Sequence, residues 1–285
     1  MQLSFNPPSP LEYFATLVQS DDNFPLLEAA VSIGHIQTPE MDVQSVLSQV
    51  DDWLLRLRRR VASDAAPLAR LLALNQFFYK DLGFGGNLND YYATGNSYIH
   101  ALLESRRGIP ISMAVLWLEL AQGIGLTATG VSFPGHFLIK ISLPMGQAVI
   151  DPLSGQSFSG EKLSEMLEPY RLTQDFEVPL GLYLQAAPAR DVLARMLRNL
   201  KEIFKSQKQW THWLEVQERL IVLMPEAWTE YRDRGLAHAA LGNHSQALAD
   251  LEHYLAHVQD VVDVDAIARQ VEMLRTELGR RAESN

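Results

Sequence analysis

Residues 96–152 read NSYIHALLESRRGIPISMAVLWLELAQGIGLTATGVSFPGHFLIKISLPMGQAVIDP. From Ala114 to Ala121 the chain is apolar almost all round, and a helix without a polar face is a buried, central one. Gly123 and Gly125 end it. Three β-rich runs follow, Thr127 to Phe133, Phe137 to Leu143 and Ala148 to Ile150. They are split by Pro134-Gly135 and by Pro144-Met145-Gly146-Gln147, which are turn formers. This is a meander packed on a helix. Helices come first and strands later, so the domain is α+β.

The same stretch carries residues with chemical potential. Gly108-Ile109-Pro110 turns the chain, and Ser112 stands where an N-cap belongs. His136 follows Pro134-Gly135, and Asp151 closes the last strand. A hydroxyl becomes a nucleophile only when a base takes its proton, and the base works best when a carboxylate orients it. Helix N-termini supply N–H groups for an oxyanion. Between His136 and Asp151 lie 14 residues; in a hairpin with an even loop both side chains emerge on one face. Each residue also has a plainer reading: Ser112 as a cap, His136 as a turn residue bonded to backbone, and Asp151-Pro152 as the end of a strand. Asn96, Tyr98 and Arg107 lie close in sequence and can line the same cleft.

Upstream, Leu11 to Val18 and Leu26 to Ile33 read as short helices. Thr38-Pro39-Glu40 opens a longer one. Its positions Val43, Val46, Leu47, Val50, Leu54 and Leu57 form one apolar stripe. It ends in Arg56, Arg58, Arg59 and Arg60, cations that a helix C-terminus favours. Ser63 or Asp64 caps a helix from about Pro67 to Leu82. The Gly83-Phe84-Gly85-Gly86-Asn87 segment breaks it and reads as a loop; with no strand before it and no Lys-Ser/Thr after it, a phosphate cradle is not supported. Asn96 starts the next helix, through Arg106.

Downstream, residues 174–190 form a proline-containing connector. A 34-residue period then appears with Trp228 as its first position. Gly235 falls at the eighth, Leu241-Gly242 at the inter-helix turn, Ala247 at the twentieth and Leu251 at the twenty-fourth. Pro225 closes the preceding unit. These are the small and large positions of a tetratricopeptide repeat. The unit from about Ala194 is degenerate, with Trp213 where a small residue is expected, and a partial unit follows from about Val262. So short a stack buries its faces poorly and is expected to dock on the N-terminal domain. His253 and His257, at i and i+4, lack a third metal ligand and read as a solvated face.

Composition limits the functions available. The chain has 285 residues, 47% of them hydrophobic, and a formal charge of -10. That suits a soluble protein with a real core and argues against nucleic acid as a partner. There is no cysteine, which removes disulfides, thiolate ligands and a thiol nucleophile. No membrane span and no signal-peptide pattern are visible, so a cytoplasmic location is expected.

Several motifs occur together and in order. GFGGN at 83–87, NSY at 96–98, ESRRGIPISMAVLWLELA at 104–121, GVSFPGHFLIK at 130–140 and IDP at 150–152 resemble the bacterial SirB family. NLKEIF at 199–204 and YRDRGLAHAALG at 231–242 resemble that family's C-terminal half. The resemblance spans about residues 70–280. It implies a transglutaminase-like, papain-like domain of helix plus antiparallel sheet, followed by an all-α tetratricopeptide-repeat domain. The expected extents are 1–185, including a helical N-terminal extension, and 186–285. Such folds place a cysteine at the central helix start and a histidine and an aspartate on the next strands. His136 and Asp151 match the last two. The cysteine position falls in the Gly108–Ser112 turn, nearer Pro110 than Ser112 when counted back from Ala114.

The expectation is therefore a non-catalytic, cysteine-less interaction or regulatory protein. It would hold a protein or peptide partner through its repeats and cleft, with no cofactor and no metal. The alternative is a serine-dependent hydrolase or acyltransferase, with Ser112 as nucleophile, His136 as base and Asp151 as orienter.

Overall fold

The computed structural model describes residues 7–87, 90, 92–171, 178–258 and 262–283. Residues 1–6, which the sequence reads as the start of an extended, proline-containing lead-in over 1–10, and part of the connector (174–177) lie outside them. The chain forms two compact units, Ser20–Met196 and Met1–Gln19 with Leu197–Asn285. The division is not in sequence order. The first helix, α1 (Pro10–Leu17), opens on Ser9, whose hydroxyl accepts from Glu12 N while the Glu12 carboxylate accepts from Ser9 N. This reciprocal capping box fixes the helix start.

In the unit Ser20–Met196, α2 (Leu26–Ser32) runs into a 3₁₀ turn over Ile33–Ile36. The next helix, α3 (Val43–Arg58), starts later than the Thr38-Pro39-Glu40 signal suggests. Asp42 caps it, accepting from Gln44 N and Ser45 N; a carboxylate there outcompetes the threonine four residues earlier. In α4 (Pro67–Asn75) the N-cap is Ala66, without a side-chain bond. Neither Ser63 nor Asp64 serves, because the fixed φ of Pro67 already sets the first turn. The helix then widens into a π turn over Gln76–Asp81, with Leu82 N bonded to Phe77 O five residues back.

Gly85–Gly86 forms a short strand, β1, instead of a loop. After a 3₁₀ turn over Thr94–Ser97 and α5 (Ile99–Ser105), Arg107–Gly108 forms β2, which pairs with β1 in parallel. The central helix α6 (Pro110–Gly123) is buried over most of its length. It packs against α2, α3, α4 and α5. Burying a helix end leaves carbonyls to be satisfied. Arg58 Nε donates to Gly123 O at 2.8 Å, and Arg70 Nη1 donates to Ile124 O. Arg58, in the arginine run that ends α3, therefore serves another helix's end, as does Arg70 of α4.

The meander follows as β3 (Ala128–Val131), β4 (Leu138–Leu143) and β5 (Gly146–Ile150), antiparallel in that order. Alternation sorts its two faces. A Cβ built at Gly130, opposite Ile139, would lie 3.6 Å from Leu118 of α6. The other face presents Val131, Leu138 and Val149 to Leu163 and Leu167, which lie on α7 (Gly160–Arg171). The short α8 (Leu180–Tyr183) follows, and the unit ends within α9 (Ala189–Ser206). The transglutaminase-like α+β architecture is thus a small sheet between α6 and α7.

The other unit holds the rest of α9, α10 (Trp210–Leu223), α11 (Trp228–Ala240), α12 (His244–His257) and α13 (Val264–Glu283). The 34-residue period maps onto α11 and α12. A Cβ at Gly235 would sit 2.8 Å from Leu251 Cδ2 and 3.1 Å from Asp250 Cβ, so only glycine lets the two helices close. Trp213, out of pattern, is buried all the same. Ile267, Val271 and Leu274 of α13 pack on Ala247, Leu251 and Tyr254 of α12. α1 packs on α10 and buries Phe14 completely. Part of the support that the short stack lacked thus comes from the N-terminal helix. Among the described residues no helix is long and apolar enough to cross a membrane.

Candidate active-site frame

The turn into α6 fixes Ser112. The N-cap is Ile109, Pro110 is the first helical residue and Ser112 is the third. Ser112 is therefore not the cap that the sequence suggested. Its hydroxyl instead reaches back to accept from Ile109 N at 3.2 Å. It donates toward Asn96 O at 2.6 Å and lies 3.1 Å from Ile109 O. The side chain is fully buried. Gly108 makes room for it, since a Cβ there would meet Ser112 Oγ and Leu102 Cδ1, both at 2.8 Å. His136 is not among the partners of this hydroxyl, and its one proton is committed to backbone.

His136 and Asp151 do come together. Continuing the register from Ile139 opposite Ile150 puts Leu138 opposite Asp151, with His136 two residues away on the same face. Both residues sit just outside the strands, His136 in the turn before β4 and Asp151 just past β5. Nε2 of His136 lies 3.7 Å from Asp151 Oδ1, an electrostatic contact too long for a hydrogen bond. Nδ1 accepts from Phe137 N at 2.8 Å, so the lone pair that a general base needs already has a donor. The Asp151 carboxylate holds its own turn, accepting from Leu153 N and from Ser154 Oγ, both at 3.0 Å.

Around this pair stand residues that were not read from the sequence as part of a site. Arg195 Nη1 donates to Ser132 Oγ at 2.8 Å and lies 3.3 Å from Phe133 O. Its guanidinium lies over the Phe137 ring, 5.6 Å from the centroid. Tyr79, carried by the π turn, donates to Pro152 O at 2.9 Å. Burial, and then the charge of Asp151, push its phenol far above the usual range, so it remains a neutral donor. The ring closes over Gly155, whose φ is 72°; a Cβ there would run into the Tyr79 ring. Tyr170 of α7 stands against Gly135 in the same way, beside His136.

The proposed cleft-lining residues have other tasks. Asn96 is buried, donating to Asp90 O at 2.6 Å and accepting from Asn87 Nδ2 at 3.0 Å. Tyr98 is buried, with its ring tilted toward His100 at 5.6 Å. Arg107 is exposed and donates to Gly83 O at 2.7 Å. Asn96 holds the turn before α6 through its carbonyl, and Arg107 ties β2 to the Gly83 turn. His253 and His257 are not simply a solvated face: His257 stacks on Trp228 with centroids 4.1 Å apart, and His253 lies 4.6 Å from Tyr231. Among the described residues no group of three or more ligating side chains could hold a metal.

Residues 44–198, more than half of the chain, match the model of the transglutaminase-like superfamily. Residues 200–272 match a tetratricopeptide-repeat model. A UPF0162 protein of Xylella fastidiosa (strain Temecula1) is 34% identical over 252 residues, covering 87% of this chain and 89% of the relative. The chain belongs to the UPF0162 family. A UPF0162 protein of Vibrio cholerae is 24% identical, over 89% of this chain and 93% of its own. The UPF0162 protein YchA of Escherichia coli (strain K12) is 29% identical, over 76% and 79%. No solved structure matches. The SirB resemblance thus stands, together with its two-part architecture.

Within this UPF0162 chain the electrostatics of His136 are decided by burial. Desolvation lowers its pKa; the Asp151 charge opposes this and the Arg195 cation adds to it. His136 is expected to titrate below about 6.5, the ordinary value, when followed by the NMR shift of its Cε1 proton. The folded state then binds fewer protons than the unfolded chain as pH falls below that value. Stability present above about pH 6.5 should be lost progressively on acidification through the folded pKa. His136→Gln should flatten that part of the urea-midpoint profile.

Proposed function

We propose that this UPF0162 protein is a non-catalytic interaction or regulatory module of the cytoplasm, which holds a protein or peptide partner through its repeats and its transglutaminase-like cleft. The observation that carries the reading is the start of α6. There Pro110 stands about where the resemblance puts a thiol, the chain has no cysteine, and the nearby Ser112 hydroxyl is buried and bonded to Asn96 O. A hydroxyl without a base at hand is a poor nucleophile. His136 and Asp151 remain as a frame that shapes a cleft, and the repeats supply the surface type on which stacked helix pairs hold peptides.

The test is a set of acyl-transfer and hydrolysis assays on the full chain, with fluorophosphonate labelling beside them. No turnover and no adduct at Ser112 are expected. Turnover that disappears in His136→Ala, or labelling that disappears in Ser112→Ala, would replace this reading with the serine-dependent one. Cell fractionation tests the location. Capture experiments comparing wild type with variants on the repeat surface test which part holds the partner.

A further inference from the structure

A pocket of about 380 Å³ lies within the unit Ser20–Met196, between the start of α2, the middle of α3 and the outer side of α6. Its wall is apolar where Leu47, Val115 and Leu118 meet. Three carboxylates, Glu28, Asp51 and Glu119, line the same space. Glu28 accepts from Gln44 Nε2 at 3.4 Å. Glu119 is half-buried, and among the described residues no cation or hydrogen-bond donor reaches it or Asp51.

Glu119 differs in this from the fully buried acids of the chain. Glu230, Asp233 and Asp250 all carry ion pairs, as desolvated carboxylates generally must. Holding two acids together without a counter-charge opposes folding. Burial, and then the Asp51 charge, raise the Glu119 pKa.

The rim shows what such a surface accepts. Phe24 lines the pocket, and the guanidinium of Arg190 lies over its ring, 5.5 Å from the centroid. Arg190 Nε also pairs with Asp21 Oδ1 at 2.7 Å. An aromatic face with a carboxylate beside it therefore already holds one arginine of the chain itself. The interior repeats the combination of apolar wall and carboxylate, and among the described residues no arginine reaches Glu119 or Asp51.

We propose that this pocket docks an arginine side chain of a partner protein, with the apolar residues next to that arginine lying against Leu47, Val115 and Leu118. Arginine suits the site because its guanidinium is weakly hydrated, stacks on apolar and aromatic faces and can bond two carboxylates at once. A volume near the lower end of the usual range for ligand sites fits one long side chain and its neighbours. The three acids do not amount to a metal site, since no ligand group of that size is present among the described residues.

The test uses the isotope-labelled full chain and two probes, N-acetyl-Leu-Arg-Leu-amide and its citrulline counterpart, which keeps the shape and removes the charge. Saturable NMR shifts should appear on α2, α3 and α6 with the arginine probe. Citrulline should bind at least about tenfold more weakly, since a charge-assisted contact of roughly this size is lost. Glu119→Gln should weaken the arginine probe to a similar extent, and Asp51→Asn, at an exposed position, should weaken it without risk to folding. Glu119→Gln should also raise Tm at pH 7, and the gain should vanish as pH falls below 4.5, because the raised carboxyl opposes folding only where the unfolded chain is ionised. Equal binding of the two probes, unchanged affinity in both variants, or shifts mapping elsewhere would overturn the proposal. So would concentration-dependent shifts of the same residues without probe, which would mean that a second copy of the chain fills the pocket.

Discussion

Replacing Lys201 by methionine is expected to cost about 3–5 kcal/mol of stability, the range for removing one partner from a buried ion pair. Lys201 is buried, and its Nζ lies 2.6 Å from both Glu230 Oε2 and Asp233 Oδ2. Both carboxylates are only 2% exposed. Arg198 pairs with Glu230 at 3.1 Å, Arg232 with Asp233 at 2.8 Å, and Arg232 continues to Asp263 at 2.6 Å. Three cations therefore face three anions, with Lys201 bridging the two least accessible ones. Methionine keeps the packing of the lysine stem and deletes the charge. Burial alone would raise the Asp233 carboxyl, yet the Arg232 bond and the Lys201 charge hold it below its usual range. That contribution is present above the ordinary carboxylate range and lost as pH falls through the folded pKa. Urea denaturation at pH 7 measures the loss. The control is Lys201→Met with Glu230→Gln and Asp233→Asn, which removes the stranded charges and should recover most of it. A single variant within 1 kcal/mol of wild type would mean that the arginines alone satisfy both acids.

Trp117→Ala is expected to cost about 3–5 kcal/mol, and it should disturb the His136 frame as well. Trp117 is fully buried in the middle of α6, and its Nε1 donates to Asn75 Oδ1 at 3.1 Å. Asn75 is the last residue of α4 before the π turn that carries Tyr79. Gly155 lies against both, since a Cβ there would come 3.2 Å from Asn75 Nδ2 and into the Tyr79 ring. Tyr79 in turn holds Pro152 O, next to Asp151. Removing the indole thus opens a cavity and frees the far end of the chain of contacts that supports Asp151. Trp117→Phe separates the two effects. It should cost less in packing but leave the Asn75 carbonyl without its donor, about 1–3 kcal/mol. Thermal melts give the stability, and the NMR titration of His136 reports the site. A large loss of stability with an unmoved His136 titration would show that the two are not linked.

Much of the scaffold was legible in the residues alone. The all-round apolar run at Ala114 to Ala121 became the buried α6, because nothing on it can face water. Turn formers at Pro134-Gly135 and Pro144-Met145-Gly146-Gln147 cut the meander in the right places. Gly235, Ala247 and Leu251 announced a repeat because helix closure needs small and large side chains at fixed intervals. The spacing of His136 and Asp151 permitted a pair on one face, given a hairpin with an even loop. In each case the signal was local, a period or a turn within a few residues.

What the sequence by itself determined, then, is the kind of elements, their order and the absence of a thiol. Which polar atoms meet was decided only by tertiary structure. Ser112 looked like a cap and possible nucleophile until Asn96 O, 16 residues back in the chain, took its proton. Tyr79 reaches Pro152 across 73 residues, and Arg195 reaches Ser132 across 63. α1 lies in the unit with the repeats, not with the helices next to it in sequence. Periodicity shows which face of an element is buried, because burial acts on every turn of it alike. It does not show the partner of a single hydroxyl, guanidinium or carboxylate, because that is a property of two distant positions and of the packing that brings them together.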